Sequence, residues 1–83
     1  MGSTLVLYGR PGCHLCDQAR AEIQAIAAEL DGIVLREVNI EDDQGLLAAY
    51  LERIPVIELD GEPIAELVVD RHELLARVHT VRP

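Results

Sequence analysis

The chain predicts an α/β domain with the element order β-α-β-α-β-β-α, built as a four-stranded mixed sheet with helices on both faces. Three observations carry that prediction. The 83 residues suffice for one compact core, so residues 1–83 are expected to form a single domain. Short β-branched runs alternate with amphipathic stretches through the first fifty residues. Finally, Asp60-Gly61 separates the last two apolar runs by two residues, a strong signal for an antiparallel hairpin.

The elements follow in order. Residues 4–8 (TLVLY) form an apolar run closed by Gly9 and Pro11, which fits a buried strand. From Leu15 the positions Leu15, Ala19, Ile23, Ile26, Ala27 and Leu30 recur every three or four residues, with charged and amide side chains between them. That is an amphipathic helix ending near Asp31-Gly32. Residues 33–39 (IVLREVN) suit a second strand, and residues 44–52 (QGLLAAYLE) a second helix after the acidic turn Glu41-Asp42-Asp43. The hairpin strands are expected near 55–59 and 63–68, with Glu58 and Glu66 pointing outward. Asp70 followed by Glu73 reads as the start of a last helix over 70–78, with His72 in its exposed first turn and residues 79–83 as a frayed tail. A strand-helix-strand start implies parallel strands, to which the hairpin adds antiparallel ones.

Composition narrows the function. With no Phe or Trp and only Tyr8 and Tyr50, the core must be aliphatic. Seven arginines against fifteen carboxylates give a formal charge of -8, which repels phosphate backbones and anionic headgroups. Neither nucleic acid nor a membrane surface is an expected partner. No apolar run reaches the ~20 residues of a membrane span, and the N-terminus lacks a signal-peptide pattern, so the expected location is the cytoplasm.

The chemistry concentrates in "YGRPGCHLCDQ", residues 8–18, which holds both cysteines. As a staple, a bond closing so short a loop contributes only about 2 kcal/mol before strain. As a zinc site, Cys13 and Cys16 lack two further ligands, because His14, His72 and His79 are badly spaced or distant. Two chains pooling their cysteines around a metal or an iron-sulfur cluster remain an alternative. A CxxC pair between a strand and a helix start is the arrangement of a redox dithiol. There the first cysteine meets unpaired backbone N–H groups that favour its thiolate, and the second lies one turn on. The helix end alone contributes ~0.3–1 kcal/mol, short of one pK unit at ~1.36 kcal/mol. Arg10, three residues upstream, is the nearest fixed positive charge in sequence, and Gly12 and His14 complete the setting. Cys13 is therefore the expected nucleophile and Cys16 the buried resolving thiol.

At "LYGRPGCHLC" and "RIPVIELDG" the chain resembles the glutaredoxin branch of the thioredoxin-like superfamily, in particular a glutaredoxin-like group with an RPGCHLC opening. The two motifs and the element order span nearly the whole chain. The resemblance implies a thioredoxin-like fold with Pro55 cis and set against the cysteines, and the backbone of Ile54 pairing with an extended substrate. It also implies glutathione as a reductant or co-substrate, with Arg53 as a group to meet its carboxylate. The usual Pro-Tyr between glutaredoxin cysteines is His14-Leu15 here, and "LVVDRHE" stands where glutaredoxins carry a Gly-Gly-x-Asp turn for the glutamyl end of glutathione.

The sequence thus predicts a monomeric thiol-disulfide oxidoreductase with no tightly bound cofactor and no resident metal. It would act on a disulfide-containing protein or glutathione and be recycled by a reductase or by glutathione. Two alternatives are a non-catalytic binding module of the same fold and a metal or iron-sulfur carrier using paired CxxC segments of a dimer.

Overall fold

A computed structural model describes residues 2–81 of the chain. The elements are β1 (Ser3–Gly9), α1 (His14–Glu29), β2 (Ile33–Asn39), a 3-10 turn (Ile40–Asp42), α2 (Gln44–Tyr50), β3 (Val56–Leu59), β4 (Glu62–Glu66) and α3 (Arg71–Val81). The sheet order is β2-β1-β3-β4. β1 runs parallel to β2, with Ser3 opposite Ile33 and Gly9 opposite Asn39, and antiparallel to β3, with Leu5 opposite Leu59 and Tyr8 opposite Val56. β3 and β4 pair antiparallel with a register shift between Ile57 and Glu58. This is the expected four-stranded mixed sheet.

Alternation along β1 sets the two faces. Leu5 and Leu7 are fully buried, while Thr4, Val6 and Tyr8 on the opposite face are half-buried. Against the Leu5–Leu7 face lie Ala19, Ile23 and Ile26 of α1 and Leu74 and Val78 of α3, which close the larger core with Ile57, Leu59 and Ile64. A second cluster forms at the end of β1 around Cys16, Ile40 and Ile54. Tyr8, Cys13 and, from α2, Leu46, Leu47 and Tyr50 pack against it. α2 has no fully buried residue, and beyond its reach Val34 is 57% exposed. Among the described residues no helix is long and apolar enough to cross a membrane.

The hairpin turn behaves as its residues require. Asp60 and Gly61 have φ of 51° and 86°, the positive pair that Asp-Gly supplies. Asp60 also fastens the turn to β1: its N–H donates to the Thr4 carbonyl (2.9 Å) and its Oδ1 accepts the Thr4 N–H (2.9 Å). At the start of α3, Asp70 Oδ1 accepts the N–H groups of His72 (2.8 Å) and Glu73 (3.2 Å), so it acts as the expected cap, and His72 is exposed.

Among the boundaries that differ from the sequence expectation, four have a clear local reason. α2 stops at Tyr50, not Glu52, because the N–H groups of Arg53 (2.8 Å) and Ile54 (3.0 Å) both converge on the Tyr50 carbonyl and end the helix. β3 correspondingly begins at Val56, after Pro55, which has no N–H for the ladder. β4 spans Glu62–Glu66 and not 63–68, because Leu67 turns left-handed at φ 65° and its N–H bonds to the carbonyls of Arg53 (3.2 Å) and Pro55 (2.9 Å). The tail expected over 79–83 is helical through Val81: buried Val78 anchors the last turns and the Thr80 hydroxyl donates to the Ala76 carbonyl (3.0 Å). Arg82 and Pro83 of that expected tail lie outside the described residues.

Candidate redox site

The cysteines sit where β1 gives way to α1. Gly12 makes the turn possible at φ 77°, a left-handed backbone that side chains resist. Cys13 follows in extended conformation and caps α1: the N–H of Asp17 donates to its carbonyl (3.1 Å), and the N–H of Cys16 donates to its Sγ (3.1 Å). The sulfur therefore occupies the place that a serine or aspartate oxygen takes at ordinary helix starts. Cys16 lies one turn on, 1% exposed against Ile40 and Ile54, while Cys13 is half-buried. The Sγ atoms are within disulfide-bonding distance and the Cα atoms 5.2 Å apart. Cys13 is thus the more exposed of the two cysteines and Cys16 the shielded one.

The remaining expected residues are distributed around this pair. Arg10 is exposed and lines a groove of about 380 Å³ together with Gly9, Cys16, Asp17, Arg20, Glu37 and Asp42, whereas Cys13 does not line it. His14 is exposed on α1 and points its Nε2 toward the Gln18 amide (3.4 Å). The Ile54-Pro55 peptide bond is cis, and Ile54 packs in the same cluster as both cysteines. Its N–H is taken by Tyr50, which leaves its carbonyl without a backbone partner among the described residues. Arg53 does not stand free. Its Nε donates to Glu66 Oε2 (2.6 Å) and its guanidinium lies 5.2 Å from the Tyr50 ring centre.

Where glutaredoxins carry the Gly-Gly-x-Asp turn, Leu67 holds a backbone that glycine favours, and Leu67 and Val68 are 45% and 75% exposed. Asp70 of that segment is occupied in capping α3.

Sequence reasoning missed a network beside the cysteines. Glu58, expected to face outward, is half-buried because it faces α2: its two oxygens accept the hydroxyls of Tyr8 (2.9 Å) and Tyr50 (3.2 Å), whose rings are 5.1 Å apart. Burial and then the Glu58 hydrogen bond raise the Tyr8 phenol above its ordinary value, and burial and then the Glu58 charge do the same to Tyr50. The clue available beforehand was scarcity, since the only two aromatic residues of the chain meet here. Glu66, by contrast, is exposed as expected.

Among the described residues no group of three His, Cys, Asp or Glu side chains is placed to hold a metal ion. The arrangement suits sulfur chemistry: the sulfur of a half-buried cysteine held by a helix N-terminus, and a second sulfur positioned to bond to it.

Comparison with known proteins agrees with this geometry. The glutaredoxin-like domain (DUF836) family matches residues 4–79. An uncharacterized protein of Mycobacterium tuberculosis (strain H37Rv) is 29% identical over 77 residues, covering 87% of this chain and 78% of the relative. Among solved structures, a structural genomics target from X. campestris is 36% identical with a TM-score of 0.75, covering 92% of this chain and 96% of the other. A protein from Nitrosomonas europaea is 27% identical with a TM-score of 0.77, covering 92% and 91%. A mutant thioredoxin from Halobacterium salinarum shares the fold at 23% identity, with a TM-score of 0.67 over 94% of this chain and 73% of that one. The chain belongs to the glutaredoxin-like domain (DUF836) family.

Proposed function

We propose that this protein is a thiol-disulfide oxidoreductase that reduces disulfides through Cys13 and Cys16. The observation that carries the reading is the difference between the two cysteines: Cys13 is half-buried and its Sγ accepts a backbone N–H at the start of α1, whereas Cys16 is buried within bonding distance of it. A thiolate at Cys13 attacks one sulfur of the substrate disulfide and forms a mixed disulfide. Cys16 then loses its proton to solvent and attacks Cys13 Sγ. The Cys13-Cys16 bond forms, the bond to substrate breaks, and the second substrate sulfur leaves as a thiolate.

Arg10 and the α1 N-terminus favour the negative sulfur, with Gly12 and His14 shaping its surroundings. The Ile54 carbonyl beside Pro55 offers an extended substrate one backbone acceptor, and Arg53 lies near that rim but is paired with Glu66. The substrate is a disulfide-containing protein or glutathione. Either glutathione or a reductase restores the dithiol, in a monomer working in the cytoplasm without a tightly bound cofactor.

Equilibration across glutathione redox buffers, rapid alkylation and intact mass test this reading. Reversible interconversion of dithiol and internal disulfide at roughly -270 to -120 mV is the expected outcome. Thiols that stay reduced in oxidising buffers would overturn it.

A further inference from the structure

Gly9 ends β1 directly in front of the cysteine turn. Gly12 and Gly61 have positive φ, and Gly9 does not, so its backbone is one that any residue adopts. What it lacks is room. A Cβ placed on Gly9 would lie 2.9 Å from Cys16 Sγ and 3.2 Å from Cys16 Cβ, closer than carbon packs against sulfur in an unstrained interior. Opposite, Cys16 is buried and hemmed by Ile40 and Ile54.

We infer that Gly9 is a positioning residue for the closing step, because its missing side chain leaves the space that Cys16 Sγ occupies when it bonds to Cys13. The inference rests on the redox reading above. In the dithiol, the Cys16 sulfur is held by no bond to Cys13 and can give way to a crowding methyl group, while the close approach to Cys16 Cβ (3.2 Å) is common to both forms. In the disulfide it cannot turn, because the bond to Cys13 fixes it. A methyl group at position 9 therefore acts against one redox form more than the other. The step affected is the attack of the Cys16 thiolate on Cys13 Sγ, in which the internal disulfide forms and the substrate thiolate leaves with the bonding electron pair. The earlier attack by Cys13 on substrate does not need Cys16 in that position.

The test compares wild type with Gly9→Ala, using reduced and oxidised glutathione as the probe. In redox buffers the ratio of internal disulfide to dithiol falls about tenfold or more in the variant, the effect of overpacking a filled site. Glutathione adduct on Cys13 accumulates in its place. In the Cys16→Ser background, Gly9→Ala leaves the rate of adduct formation at Cys13 as it was. Thermal melts separate this role from plain packing, because the oxidised form loses more stability than the dithiol form. An unchanged ratio, or equal loss of stability in both forms, overturns the inference while wild-type cycling upholds the redox reading. If wild type itself forms no internal disulfide, both fall together.

Discussion

One face of the sheet is sealed by α1 and α3 over Leu5, Leu7, Ile57 and Leu59, whereas the other is covered only near Tyr8 by the seven residues of α2. The sealed face holds ten buried residues from five elements and the cysteine cluster holds three, so cohesion comes mainly from the first. At the cysteine end, most neighbours are half-buried side chains: Tyr8, Leu46, Leu47 and Tyr50. The difference teaches a division of labour. The larger core fixes the fold, and the thinner end holds the half-buried Cys13, in the kind of less stable region from which sites are drawn.

That division is open to breakage by paired truncations. Ile23→Ala, in the sealed core, is expected to cost ~2–5 kcal/mol of stability, a large part of the ~5–15 kcal/mol typical of a domain. Below its lowered Tm the alkylation rate of Cys13 should match wild type. Ile40→Ala, beside Cys16, is expected at the lower end, about 2 kcal/mol, because half-buried neighbours can settle into the gap. It should nevertheless raise the alkylation rate of Cys16. Denaturant melts and alkylation followed by mass spectrometry read both effects, and identical reactivity in the two variants would erase the distinction.

A smaller effect is expected where α2 meets the sheet. Glu58→Gln removes the charge that holds both tyrosines, at a cost of about 1 kcal/mol for a half-buried pair of hydrogen bonds. Because the folded state raises both phenols above 10.0, it favours their protonated forms. Their contribution to stability is complete below the unfolded value and is lost as pH rises through the raised folded values. Ultraviolet titration of the two tyrosines should therefore show midpoints above 10.0 in wild type and lower ones in Glu58→Gln.

The smallest effect belongs to the surface. Arg71 Nε donates to Glu22 Oε2 (2.6 Å) and joins α3 to α1 through an exposed arginine and a half-buried glutamate at the surface. Arg71→Ala should lower Tm slightly at low salt, and the difference should disappear at high salt because exposed pairs are screened.

These contrasts also mark what the sequence could show. Strand alternation, the Asp60-Gly61 turn and the Asp70 cap are local signals, legible because each acts within a few residues. The cysteine pair was legible for the same reason. Glu58 was misread as outward-facing because the partners that draw it in, Tyr8 and Tyr50, are 50 and 8 residues away. The end of β4 was missed because Leu67 adopts a backbone its type disfavours, held by carbonyls of Arg53 and Pro55. Gly9 looked like a strand terminator, and its closeness to Cys16 Sγ emerges only when β1 and α1 are packed.

The most direct test of the account is to trap the first covalent step. Cys16→Ser and Cys13→Ser proteins are mixed with a disulfide substrate, and the adduct is read by intact mass. The account predicts a stable mixed disulfide on Cys13 in Cys16→Ser and little or no adduct in Cys13→Ser, where the remaining thiol is shielded. Equal trapping in both variants, or trapping only on Cys16, would contradict the assignment of nucleophile and resolving thiol.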